Sequence, residues 1–224
     1  MPVVLYSYFR SSCSWRVRIA LNFLKVPHVI RPVNLLKNEQ VSVEYQSLNP
    51  LGTVPALQTE NGQILWQSLA IIDWLDNQGK LLPEDPMDRA RCWQISNTIC
   101  SEIQPLQNLF VGKMVAELVG GGSVGEAQKL IWSKHHNLTK LKIIENHLVD
   151  VESKFCIGHS LSLADLCLVP QLYSAGRFGI DIFTEFPKLM KIAENLQTLP
   201  DFQLAHPHAQ PDCPPEVALL GTKF

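Results

Sequence analysis

Val3 to Ser7 and Val29 to Val33 are short, mostly apolar runs of strand length. Between them Cys13, Val17, Ala20, Leu21 and Leu24 recur at helical spacing, leaving Arg16, Arg18, Asn22 and Lys25 on other faces. That pattern predicts a β-α-β unit at the start of the chain. Ala56 to Thr59 and Gln63 to Trp66 then alternate around Glu60-Asn61-Gly62, whose Asn-Gly pair suits a tight hairpin. Ser68 precedes Leu69, Ile72 and Leu75 at helical spacing, so it is expected to cap a helix that ends near Gly79. The first part of the chain therefore reads β-α-β, a connection, then β-β-α.

Leu82-Pro83-Glu84-Asp85-Pro86 carries two prolines between periodic segments and reads as a linker. Beyond it the pattern is helical. Ile95, Ile99, Ile103 and Leu106 form one stripe. Leu130, Ile131, Leu138, Leu141, Ile144, Leu148 and Val151 form another, interrupted by polar Ser133 to Asn137. Gly120, Gly121, Gly122 and Gly125 separate the stripes and, with no Lys-Ser or Lys-Thr following, read as a helix-breaking turn rather than a phosphate loop. Ser162-Leu163-Ala164-Asp165 fits a capping box ahead of the apolar run Leu166 to Val169. After Pro200 the chain is rich in Pro, Gln and Asp, which predicts an irregular tail over the surface. The expected architecture is an α/β domain over residues 1–81, a linker over 82–86 and an all-α bundle over 87–224.

The 224 residues suffice for two domains with separate cores. With 19 Lys plus Arg against 21 Asp plus Glu, no basic stripe points to a nucleic-acid partner and no basic patch to a membrane surface. No apolar stretch approaches the ~20 residues that span a bilayer. Six scattered cysteines without a C-x-x-C pair, and no apolar leader before the first strand, suggest a reduced, cytoplasmic chain. His135-His136 and His206-Pro207-His208 lack the partners and spacing of a metal site, so no metal is expected and both read as solvated surface. Asn137-Leu138-Thr139 forms a glycosylation triplet, but its helical position makes it inert.

Candidate chemistry concentrates in Arg10-Ser11-Ser12-Cys13-Ser14-Trp15-Arg16, where the first strand feeds the first helix. A helix start offers unpaired N–H groups and partial positive charge, which favour an anion such as a thiolate or carboxylate. On the plainer reading, Ser11 or Ser12 caps the helix and Cys13 packs. Cys13 could also be a nucleophile itself, though position 16, where a resolving cysteine would stand, is Arg16.

The order of elements resembles the glutathione transferase architecture, with a thioredoxin-like N-terminal half. The stretch Ser11 to Leu21 is similar to the signature of the zeta class. So are Asn49-Pro50 with Val54-Pro55, Gln67 to Ile72, Ile103-Gln104-Pro105-Leu106-Gln107-Asn108, and Leu163 to Gln171. The likeness runs from Leu5 to about Asp212. It implies glutathione as cofactor and a glutathione-dependent cis-trans isomerisation of maleylacetoacetate to fumarylacetoacetate. Thiolate addition to the cis double bond, rotation and elimination would regenerate the glutathione. Activity on α-halo acids is implied as well. The alternatives are a conjugating or peroxidase-type transferase and, ranked last, a non-catalytic interaction module.

By the same resemblance, Ser11, supported by Ser12, activates the thiol, and Ser12 remains an alternative for that role. Val54, ahead of a cis-proline, would pair its backbone with the cysteinyl part of glutathione. Gln67 and Ser68 would hold the γ-glutamyl end, Gln40 the glycyl end, and Gln104 and Asn108, four apart on one expected helix face, would complete the cofactor site. Cys13 is cast as a substrate-pocket residue. Arg177 matches a carboxylate-binding arginine for the dicarboxylate substrate, with Arg10 as second candidate. A homodimer is implied by the resemblance alone.

Overall fold

The computed structural model describes residues 2–148 and 153–218, so Val151 of the second stripe lies outside the described residues. The chain divides into two compact units, one built from residues up to Lys80 together with those from Gln197 onward, the other from Leu81–Leu196.

In the first unit, β1 (Val3–Ser7), α1 (Ser12–Phe23) and β2 (His28–Pro32) make the expected β-α-β unit. Then follow α2 (Val43–Leu48), the hairpin β3 (Ala56–Gln58) and β4 (Ile64–Trp66), and α3 (Ser68–Leu75). The sheet order is β2-β1-β3-β4. β1 runs parallel to β2, with Leu5 opposite Ile30, and antiparallel to β3, with Leu5 opposite Leu57. Parallel pairing needs a crossover, which α1 supplies, whereas β3 and β4 need only the tight turn in which Gly62 takes φ +83°. Leu5, Leu57, Ile19, Leu21 and Ile71 are fully buried between sheet and helices.

Arg16 and Arg18 depart from the expected pattern, since both are 1% exposed. A buried guanidinium is tolerable only when its donors are met. For Arg18, Nε donates to the Ala205 carbonyl at 2.9 Å, Nη2 to the Phe9 carbonyl at 2.9 Å and Nη1 to Ser7 Oγ at 3.0 Å. Burial still pushes the Arg18 guanidinium down to about 9, with Asp212 pulling the other way.

The second unit is helical among its described residues. Asp85 caps α4 (Pro86–Asn97) by accepting from the Met87 and Asp88 N–H groups, each at 2.9 Å. The helix continues as a π-helical stretch, Thr98–Ile103, and a 3₁₀ turn, Pro105–Gln107. α5 (Leu109–Leu118), α6 (Gly122–His147), α7 (Leu163–Arg177), α8 (Ile182–Glu185) and α9 (Pro187–Gln197) follow.

α6 runs unbroken through the polar segment that interrupts its apolar stripe. Its inward face carries Ser133, Asn137, Leu141 and Ile144, while Leu130 and Ile131 lie 46% and 58% exposed. Asn137, 0% exposed, donates to Gln107 Oε1 at 2.7 Å and accepts from Gln171 Nε2 at 2.6 Å. Paired amides thus replace an apolar stripe. Gly120, Gly121 and Gly122 form the turn with positive φ. Gly125 instead lies inside α6, where an added Cβ would stand 2.7 Å from the Ala116 carbonyl oxygen of α5.

Among the described residues the segment after Pro200 is largely helical and not irregular. It forms α10 (Pro200–Ala205) and, near its end, α11 (Pro215–Ala218), with Phe202 and Ala205 buried against the first unit. One apolar residue per turn suffices there because polar anchors do the rest. Asn22 donates to the Asp201 carbonyl at 3.0 Å, and the Phe9 N–H to Asp212 Oδ2 at 2.9 Å.

His206 is therefore buried, not solvated, at 7% exposure, with its ring edge-on to Trp15 at 5.1 Å. Its Nδ1 accepts from the His208 N–H at 3.1 Å, which requires a neutral ring. Burial, with His208 and Arg18 adding to it, pushes the imidazole down to about 4. The unfolded chain takes up this proton near pH 6.5 and the folded chain only near 4. Stability present above the first value is lost on the way to the second, by about 3 kcal/mol in all. Urea midpoints measured at about pH 7 and about pH 4.5 should therefore fall further in the wild type than in His206→Asn. Equal falls would show that the ring does not titrate in this way.

Candidate active site

Three backbone features of the first unit lie at the starts of α1, β3 and α3. At the first, Ser11 is the N-cap of α1, with extended backbone, and its Oγ accepts from the Ser14 N–H at 3.2 Å. A hydroxyl accepting there keeps its own proton to donate, so capping and stabilising an anion are compatible. Ser12 is the first helical residue and buried, and Cys13 follows half-buried.

The second feature is the cis peptide bond Val54-Pro55 ahead of β3. Among the described residues none hydrogen-bonds the Val54 N–H or C=O, although β3 beside it is fully paired. The loop before it is held rigidly. Asn49 Nδ2 and Tyr45 Oη both donate to the Thr53 carbonyl at 2.7 Å. Burial pushes the Tyr45 phenol up to about 12, so it stays a donor. An extended tripeptide fits an open backbone edge of this kind, since an N–H and a C=O one residue wide pair with a peptide as an added strand does.

The third is the start of α3. Ser68 was expected to cap this helix, but it is the first helical residue, and Gln67 occupies the cap with φ +70° and no side-chain cap bond. A non-glycine residue at positive φ, beside a helix start that its own side chain leaves uncapped, is strain held where an anion can be received. Ser68 Oγ accepts from Arg16 Nη1 at 3.3 Å, so a buried guanidinium adds positive charge beneath this helix start. Sequence reasoning missed Arg16, which it left off the apolar stripe of α1. The available signal was a second arginine inside the same short motif.

Gln40 lies in the connection before α2, next to the loop at Gly52, and its Oε1 is buried with no partner among the described residues. Beyond β1, a cavity of about 460 Å³ is walled by Tyr8, Phe9, Arg10, Asn34, Asp212 and Val217. Arg10 stacks on Phe9 at 5.3 Å, and its Nε is buried without a partner among the described residues. Glu39, Asp212 and Glu216 share the cavity, so its charge is mixed.

Gln104, Asn108 and Arg177 lie in the helical unit. Gln104 and Asn108 do not share a helix face as expected. The helix breaks at the 3₁₀ turn Pro105–Gln107, and Asn108 has extended backbone as the N-cap of α5, accepting from the Phe110 N–H at 3.4 Å. Gln107, passed over in the sequence, turns inward to the Gln171 and Asn137 amides. Arg177 is exposed in the last turn of α7.

Residues 10–78 match the family model of the glutathione S-transferase N-terminal domain, and residues 124–200 that of the C-terminal domain. The chain is 44% identical to the probable maleylacetoacetate isomerase 2 of Drosophila melanogaster, over 96% of this chain and 92% of that protein. The chain belongs to the glutathione S-transferase family. Within it, a zeta-class glutathione S-transferase of Euphorbia esula is 41% identical over 93% of this chain and 91% of its own length. Among solved structures, maleylacetoacetate isomerase from Methylobacterium extorquens AM1, with bound malonate and glutathione, superposes with TM-score 0.87. It is 33% identical over 94% of this chain and 99% of that one. These comparisons set this transferase in the zeta-class, maleylacetoacetate isomerase branch, with the thioredoxin-like and helical units the family requires. All six cysteines are free, and among the described residues no helix is long and apolar enough to cross a membrane.

Proposed function

We propose that this transferase is a glutathione-dependent maleylacetoacetate isomerase, working as a cytoplasmic homodimer. The carrying observation is Ser11, which caps α1 while keeping a hydroxyl proton available to an anion at the helix start. When bound, glutathione supplies the thiol that adds to the cis double bond of the substrate and leaves again after rotation. The chain's own part is to hold and charge that sulfur. Val54 offers its free N–H and C=O to the cysteinyl backbone, the uncapped start of α3 at Gln67 and Ser68 receives the γ-glutamyl carboxylate, and Gln40 turns its unpaired amide to the glycyl end. Ser11 donates to the sulfur, with Ser12 and the α1 N–H groups beside it. Arg10, in its cavity, is matched to one carboxylate of the dianionic substrate, and half-buried Cys13 lines the approach. Gln104 and Asn108 are assigned to glutathione and Arg177 to a substrate carboxylate on their family motifs. Residues 1–81, with the segment from Gln197 that packs into the same unit, then act as the glutathione-binding domain, 82–86 as the linker and the helices that follow it as the substrate-side domain.

The test follows the maleyl absorbance with purified protein, with and without glutathione, while free thiol is titrated. Isomerisation that requires glutathione and leaves the thiol concentration unchanged is the expected result. Turnover without glutathione overturns the proposal. Thiol consumed in step with product identifies a conjugating transferase instead, the activity also expected on α-halo acids.

A further inference from the structure

Two of the free thiols face each other inside the helical unit. Cys100 Sγ and Cys167 Sγ are 3.6 Å apart, although the residues are separated by 67 positions in the chain. Cys100 is half-buried, whereas Cys167, on α7, is 0% exposed. One sulfur can therefore meet a small oxidant while the other is kept behind it. Cys100 also lies within Thr98–Ile103, where the Gln104 N–H reaches back five residues to the Ile99 carbonyl at 2.9 Å. A π-helical stretch carries an extra residue relative to an α-helix and is more easily re-formed, so it can yield the about 1.5 Å by which the sulfurs must close.

We propose that Cys100 and Cys167 are a redox modification site, closing to a reversible disulfide when a peroxide reacts at Cys100. The Cys100 thiolate attacks the peroxide O–O bond, which breaks to leave a sulfenic acid on Cys100 and, after protonation, one water when the oxidant is hydrogen peroxide. The Cys167 sulfur then attacks the sulfenic sulfur. The S–S bond forms, the S–O bond breaks, and the departing hydroxide takes the Cys167 proton as a second water. Two thiols are oxidised and one peroxide is reduced. Two equivalents of a thiol such as glutathione reverse the step by exchange.

The other cysteines lack this arrangement. Cys92 and Cys156 are both buried, and burial pushes both thiols up, Cys156 furthest. Cys13 and Cys213 are half-buried and sit in the first unit, on α1 and in the segment before α11, away from α7 in sequence. The consequence is local. Cys100 is four residues before Gln104, and Cys167 four before Gln171, whose amide meets Gln107. A bond there fixes the stretch that runs into Gln104 against α7. None of this rests on the isomerase reading.

The test treats full-length protein with hydrogen peroxide, blocks remaining thiols with iodoacetamide, and maps the products by mass spectrometry after trypsin and chymotrypsin. Alkylation should fall from all six cysteines to four, with a mass loss of about 2 Da confined to a peptide pair joining Cys100 to Cys167. Reduced glutathione should restore six. In Cys167→Ser the sulfenic acid has no thiol to meet, so dimedone should label Cys100 there and not in the wild type. Oxidation confined to Cys13 or Cys213, or a joined pair other than Cys100 with Cys167, overturns the proposal, and the wild-type map decides it even if the variant does not fold.

Discussion

Replacing Ser11 with alanine should lower kcat/KM for glutathione-dependent isomerisation about 30- to 100-fold. A free thiol of pKa ~8.5 is only a few per cent ionised at neutral pH, and lowering it by about two units takes ~2.7 kcal/mol of selective stabilisation of the anion. A hydrogen bond to a charged group contributes about 1.5–3 kcal/mol, enough to make one hydroxyl the largest part of that shift. The helix start supplies the remainder and is not removed by the substitution. Titration of the bound thiol by its ultraviolet thiolate band should accordingly show its pKa rising by about one to two units in Ser11→Ala. Ser11 also accepts from the Ser14 N–H, so the variant loses about 1 kcal/mol of stability as well. Ser11→Thr, which keeps both hydroxyl and cap, separates the two effects and should retain the low thiol pKa. If Ser11→Ala keeps wild-type activity while Ser12→Ala loses it, the role belongs to Ser12. Should both variants stay active and Cys13→Ala fail, the nucleophile chemistry lies at Cys13.

The parts of the molecule that were legible in the sequence are those set by local periodicity. β1 matched its apolar run residue for residue, the Asn61-Gly62 turn followed from its dipeptide, and the capping box was visible as a hydroxyl three residues ahead of an acid. What escaped were polar groups whose partners lie far away in the chain. Arg18 was left off the apolar stripe of α1, and its burial could not be read because its acceptors include the carbonyl of Ala205, 187 positions later. The same long-range bonds turned an expected surface tail into α10 and buried His206 beneath it. Asn137 looked like a gap in the apolar stripe of α6 because Gln107 and Gln171 cannot be paired with it from the sequence. At the start of α3 the cap, which is Gln67, was assigned to its neighbour Ser68. Propensity favours serine at a cap, and only a strained backbone puts glutamine there with φ +70°.

The capping box of α7 should give the largest loss of stability. Asp165 is 0% exposed and accepts from the Cys156 N–H at 2.7 Å and from both the N–H and Oγ of Ser162 at 2.8 Å. Burial, the largest cause, leaves its carboxyl raised although those donors pull against it, so among the described residues hydrogen bonds and not an ion pair support it. Asp165→Ala strands two backbone N–H groups in the interior, each costing about 1–3 kcal/mol, and withdraws the acid from the first turn of a helix most of whose residues are buried. The sum is a loss of about 3–5 kcal/mol, a large share of what holds a domain of this size together. Ser162→Ala removes the Oγ that donates to Asp165 and accepts from its N–H, leaves the Cys156 and Ser162 N–H groups paired with Asp165, and should cost about 1 kcal/mol. Asp165→Asn should fall between, because an amide offers one oxygen and turns a donor toward donors. Urea unfolding followed by tryptophan fluorescence checks the order, wild type above Ser162→Ala above Asp165→Asn above Asp165→Ala. An Asp165→Ala midpoint equal to that of Ser162→Ala would mean that the Cys156 and Ser162 N–H groups find other acceptors when α7 loses its acid.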